Sequence, residues 1–256
     1  MKALLTILLL LTGNALAQNT VGYSRTAKRY DRDQIGKISV MPTSLFTNCV
    51  IWLTYSANDG TNYYDAAASN DGIGSATSIW TNTVGGAAVF DGGTASARSS
   101  NRTGFNSTNC SVSLFAKKTG NGASTHDMFF DSGTNQAGDL FIGFLSHSNT
   151  KLSVGRTFIA EDVFCSGGFT NWNHVVVVLS GDSKTIYLNG AWAATTNISY
   201  TYGASSYYSL GAERTSDTTT ANAYKGLLDD VKVFNRALTS NEVVNLYNLT
   251  KGTYGL

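Results

Sequence analysis

Two adjacent aspartates, Asp229 and Asp230, stand in the run 225–248, KGLLDDVKVFNRALTSNEVVNLYN. Paired carboxylates can act as general acid and base, or as cation ligands, provided that they face one place. The alternation around them reads as a β-strand, whose successive side chains point to opposite faces. A regular strand groups Leu227, Asp229, Val231 and Val233 on one face, and Leu228, Asp230, Lys232 and Phe234 on the other. Neighbours arranged in this way cannot share a proton. Asp229 is then an acid on an apolar face and needs a cation or several donors, because its desolvation is costly. Asp230 is expected to be solvated beside Lys232.

Other reactive constellations are sparse. The three glutamates, Glu161, Glu213 and Glu242, lie far apart, and no E-x-D-x-E run is present. Neither a G-x-S-x-G elbow nor a phosphate-binding loop occurs. His126, His147 and His174 lack the spacing of a transition-metal site, and His174, just ahead of VVVV, reads as a buried hydrogen-bonding histidine. Asp91 in FDGG and the Asn70-Asp71-Gly72 and Asn58-Asp59-Gly60 triplets read first as turns. Tyr200, Tyr202, Tyr207 and Tyr208 flank a Gly-Ala-Ser-Ser turn. A tyrosine face suits stacking on a sugar or a protein contact, with ordinary cross-strand packing as the competing use. Tyr63 and Tyr64 carry the same ambiguity.

The elements that must position these residues are mostly strands. CVIWLTYS, CSVSLFAKK, YYSLGAE and KGLLDDVKVFN have strand length and content. NHVVVVLSGDSKTIYLNGAWAATTNI reads as three strands, joined first by a turn over 181–184 and then by a tight Asn189-Gly190 hairpin. One helix is predicted, where Thr239-Ser240-Asn241-Glu242 forms a capping box. Leu238 and Val243 can staple its start, and Val243, Leu246 and Tyr247 give it an apolar stripe. Many short strands with one late helix predict an all-β, antiparallel β-sandwich.

Residues 1–17 carry a basic start, an apolar run and an A-x-A site, the pattern of a secretory signal, so an exported or cell-surface protein is expected. Its apolar run is too short to span a bilayer, and no later run is long enough. Residues 18–45 read as a polar leader, 46–250 as the sandwich and 251–256 as a tail. The whole chain has a formal net charge of +1, which gives no long-range attraction to nucleic acid. Cys49, Cys110 and Cys165 allow one disulfide and one thiol, with the pairing open.

Six blocks, in order, resemble the laminin-G-like, concanavalin A-like jelly-roll domains. They are VIWLTYSANDGTNYYDAAASNDG, GGAAVFDGG, CSVSLFAKK, NWNHVVVVLSGDSKTIYLNG, YSLGAE and the closing YKGLLDDVKVFNRALTSNEVVNLYN. Phe115 stands where the family usually has tryptophan. The resemblance implies a jelly-roll binding module, with calcium held at the sandwich rim by Asp65, Asn70, Asp71 and Asp229. The opening loop departs from the family spacing after Asp65. An extracellular carbohydrate is the expected partner, bound without catalysis. The alternatives are an adhesive protein that binds cell-surface proteins, and a polysaccharide hydrolase with an unrecognised carboxylate pair.

Overall fold

A computed structural model describes residues 45, 47–58, 62–65, 72–74, 79–80, 87–93, 96–99, 108–132, 140–148, 150–155, 163–197, 208–214 and 220–256. The expected signal segment 1–17 and most of the expected leader 18–45 lie outside these residues.

Sixteen of the described strands form one hydrogen-bonded antiparallel network, fourteen along a continuous path that doubles back into two layers, with Ile79–Trp80 and Ala88–Asp91 branching from Lys225–Phe234. One layer runs Cys49–Asn58, Lys225–Phe234, Asn109–Lys118, Asn173–Ser180, Ser183–Leu188 and Ala191–Asn197. The facing layer includes Asp127–Asp131, Phe141–Phe144, Lys151–Gly155 and Ser209–Leu210. Ile51, Leu53, Val112, Leu114, Val175 and Val177 meet Phe130, Ile142, Phe144, Leu152 and Leu210 in the shared core. The antiparallel sandwich expected from the sequence is the observed fold.

The central strands of the first layer are covered on both faces. Val175, Val177 and Leu179 point into the sandwich core, whereas Val176 and Val178 join a second apolar cluster with Phe234, Leu238, Val243 and Leu246 on the outer side. The C-terminal helix Ser240–Thr250 lies over that outer cluster. An unbroken VVVVL run therefore serves a strand buried on both sides.

The helix starts as its sequence dictates. Thr239 Oγ1 accepts from the Glu242 N–H at 3.3 Å, and Glu242 Oε2 accepts from the Thr239 N–H at 2.8 Å. Leu238 and Val243 both enter the outer cluster, as the staple requires. Arg236 grips Glu242 with two nitrogens at 2.9 and 2.7 Å and donates to the Thr47 carbonyl at 2.9 Å. One guanidinium thus ties the helix start to the entry of the opening strand.

The hairpin at Asn189 and Gly190 has φ values of 52° and 78°, the left-handed pair that a type I′ turn needs. The preceding turn is shorter than expected, since Ser183 and Lys184 already belong to the strand Ser183–Leu188.

Cys110 is a free thiol in the core, where burial pushes its pKa far above the ordinary thiol range. Neither it nor Cys49 forms the disulfide that the cysteine count allows. Residues 251–256 do not trail away as a tail. Lys251–Tyr254 forms a 3-10 turn, and the Tyr254 ring stacks on Phe115 with centroids 3.7 Å apart.

Candidate functional site

The closing strand is not regular at the aspartates. Asp229 pairs with Phe115 and Lys232 with Ser113, so Asp230 and Val231 together oppose Leu114. This is a two-for-one β-bulge, with Asp230 as the extra residue in the left-handed region at φ 51°. The bulge resets the alternation. Leu228, Val231 and Val233 face the core. Asp229 pairs on the opposite face with Phe115, beneath the C-terminal turn, and does not share a face with Val231 and Val233.

Asp229 is 3% exposed and both its oxygens are engaged. Oδ1 accepts the Asp230 N–H at 2.7 Å, and Oδ2 accepts the Tyr254 hydroxyl at 2.8 Å. Burial, reinforced by the charge of Asp230, pushes its carboxyl well above the usual carboxylate range. Buried, with each oxygen already accepting a hydrogen bond from the protein, Asp229 presents no exposed oxygen in this arrangement. The donors that its position demands come from Tyr254 and the backbone.

Asp230 is not solvated either. It forms an ion pair with the buried Lys232 and accepts the Trp52 indole N–H at 2.7 Å. The Lys232 ammonium lies 5.1 Å from the Trp52 ring centroid. Next to this group His174 Nε2 meets Ser113 Oγ at 2.9 Å, with its ring stacked against Phe115. Burial, then the Lys232 charge, lowers the His174 pKa to about 3, so it stays neutral and structural as expected. The set is an internal polar seam between sheet and C-terminus.

A second cluster brings together histidines that the sequence keeps apart. Asp127, fully buried, accepts from Gly122 N–H at 2.7 Å, Lys118 Nζ at 2.7 Å and His147 Nδ1 at 3.1 Å. Lys118 also donates to the carbonyls of His147 and Ser148. His126 Nδ1 accepts the Ser146 N–H at 3.0 Å. These bonds hold Ser146 and His147 at φ 48° and 56°, a left-handed pair that non-glycine residues rarely adopt. The Lys118 protons have three acceptors here, so the cluster is a brace for a strained turn.

Of the other calcium candidates, Asp65 ends the strand Asn62–Asp65 opposite Leu53, with its side chain outside the described residues. Asn70 and Asp71 lie outside them altogether. Among the described residues no group of three or more His, Cys, Asp or Glu side chains is placed to hold a metal ion. Asp91 caps its own turn by accepting the Gly93 N–H at 2.8 Å. Tyr200, Tyr202 and Tyr207 lie outside the described residues. Tyr208 is 2% exposed and packs in the core beside Phe130, so its ring offers no face to a sugar.

The aromatic surface of the molecule is elsewhere. Trp192, in the strand Ala191–Asn197, is 65% exposed, the most exposed of the large apolar side chains described. Its indole N–H donates to Thr195 Oγ1 at 2.8 Å, and Thr195 Oγ1 meets Thr185 Oγ1 across the strands at 3.0 Å. With the N–H engaged, the part of the ring open to solvent is apolar. Such exposure forgoes about 3 kcal/mol of burial, so the fold gains little from a tryptophan here. The signal in the sequence is AWAATTN, a strand after a tight turn with no large aliphatic residue to bury it.

The comparisons with known proteins agree with this architecture. Among curated proteins none matches the chain. Domain 4 of AbnA, a GH43 extracellular arabinanase from Geobacillus stearothermophilus solved with arabinotriose, is similar in structure, with TM-score 0.57 and 21% identity. The match covers 78% of this chain and 98% of that one. The botulinum neurotoxin type G receptor-binding domain gives TM-score 0.61 at 13% identity, covering 79% of this chain and 51% of that one. The binding domain of botulinum neurotoxin DC, solved with SialylT, gives 0.61 at 14%, covering 80% and 52%. The chain thus spans about half the length of the neurotoxin domains. At these identities the likeness is one of fold. Residues 91–244, more than half of the chain, match the Laminin_G_3 family, and the chain therefore belongs to this family of the concanavalin A-like lectin/glucanases superfamily.

Proposed function

We propose that the protein is a non-catalytic carbohydrate-binding module that works outside the cell. The observation that carries this reading is the exposed Trp192 indole, whose N–H is held by Thr195. A sugar ring has one face rich in C–H groups and an edge of hydroxyls, which suits an aromatic plane beside threonines. The family and the arabinotriose and SialylT complexes of similar folds support carbohydrate as the ligand class. Export rests on the N-terminal pattern of residues 1–17. Adjacent Asp229 and Asp230 are sealed beneath the C-terminal turn and are no acid/base pair, which favours binding over hydrolysis. Calcium enters the reading only through Asp65, Asn70 and Asp71, because Asp229 is engaged elsewhere.

Glycan-array binding, followed by titration of the hits with and without chelator, tests the proposal. Trp192→Ala is expected to weaken binding by about tenfold or more while leaving the melting temperature unchanged. Loss of binding with chelator would add calcium to the reading. Polysaccharide turnover, or attachment to protein surfaces that sugars do not compete away, would replace it.

A further inference from the structure

The hairpin that carries Trp192 presents an ordered outward face. Its cross-strand pairs there are Tyr187 with Trp192, Thr185 with Thr195 and Ser183 with Asn197. Tyr187 belongs to the outer cluster, and Thr185 pairs with Val178 of the same cluster, which fixes this side as the outer one. Ile186 and the buried Lys184 occupy the alternate positions of that strand. The register slips by one residue between Ile186 and Tyr187, bringing Trp192 into line with the two hydroxyl-bearing pairs.

Two features of this face discriminate between ligands. First, it is a strip. Four residue steps separate the Tyr187 pair from the Ser183 pair, about 14 Å, the length of a few sugar units in a chain. Second, neither of its strands puts a cation on it. Lys184 is the only charged residue on the two strands and is buried on the alternate side. Beyond Ser183 the turn holds an exposed Asp182, of the wrong sign for an acidic sugar. A carboxylate or sulfate laid here would lose water without gaining an opposite charge.

We infer that this face takes an uncharged glycan chain laid along the strands, with one ring on the Trp192 indole and the next units against the Thr185–Thr195 hydroxyls. The inference rests on the carbohydrate reading above and adds its ligand class. Thr195 is a positioning residue, since it accepts the indole N–H and sets the plane on which the ring stacks.

The test uses the full chain with debranched arabinan and xylan as neutral probes, and polygalacturonate and a sialylated oligosaccharide as acidic ones. The neutral polymers should be bound with an affinity that does not change between low and high salt, because no ion pair is there to be screened. Thr195→Val should weaken that binding roughly threefold to tenfold. It should also raise the mobility of Trp192 in fluorescence anisotropy, at an unchanged melting temperature. Acidic probes bound as tightly as neutral ones, or with an affinity that falls with salt, would overturn the ligand class and leave the carbohydrate reading standing. Neutral binding untouched by Trp192→Ala would overturn this face as the site. Failure to bind either class would take down the carbohydrate reading itself.

Discussion

Asp229 shows how a single side chain can resemble a ligand and be a structural part. Its oxygens close onto Tyr254 and the Asp230 amide, and the folded protein raises its pKa through burial and the neighbouring acid. A carboxyl whose folded pKa lies above its unfolded value near 3.9 favours folding most at low pH. That contribution fades as pH rises through the folded value. Asp229→Asn keeps an acceptor for the amide and a partner for the tyrosine hydroxyl, without the ionisable proton. Thermal unfolding should therefore place the variant level with the wild type at acid pH and above it at neutral pH. A variant that instead loses a calcium-dependent stabilisation seen in the wild type would restore Asp229 as a ligand.

At the scale of the element, the helix start joins local and distant chemistry. Hydrogen bonds from Arg236 lower the Glu242 pKa to about 2, against the opposing effect of partial burial. A depressed carboxylate stabilises the fold above its ordinary value of 4.5 and loses that contribution as pH falls toward about 2. Glu242→Gln should cost about 1 kcal/mol at neutral pH, the size of a lost cap and an exposed ion pair. In urea titrations this deficit should shrink as the wild-type carboxylate is itself protonated. A deficit that stayed constant down to about pH 2 would mean that the charge is irrelevant. The capping box was legible because all its parts lie within four residues, and Asn189 with Gly190 was legible because two left-handed residues demand those types. The bulge at Asp230 was not. It depends on how Phe115 and Ser113 of another strand align with Asp229 and Lys232, which the local alternation does not encode. Tyr208 misled for the same reason, because a tyrosine beside a turn looks alike whether its ring points outward or at Phe130. Trp192 lay in plain view, as a tryptophan in a strand with no aliphatic partners.

At the scale of the molecule, two apolar layers need three covers, since the first sheet is buried on its core side and again on its outer side. The helix supplies much of the outer cover over the central strands, and the last residues extend it over Phe115. Tyr254 lies against Phe115 and also packs at 5.1 Å from the Trp172 ring, closing the polar seam around Asp229 and His174. Phe115 is fully buried, with that ring on one side and His174 also stacked on it. Removing residues 251–256 would expose Phe115 to water and leave the Asp229 carboxyl without its hydroxyl donor. The lost aromatic burial amounts to roughly 2–4 kcal/mol. A shorter chain should therefore unfold at markedly lower denaturant, while Tyr254→Phe, which keeps the stack and drops only the hydroxyl, should fall in between. If both variants matched the wild type, the C-terminal turn would be an ornament on a sheet stable without it. If only the truncation were weakened, stacking alone would hold the seam shut and Asp229 would owe nothing to Tyr254.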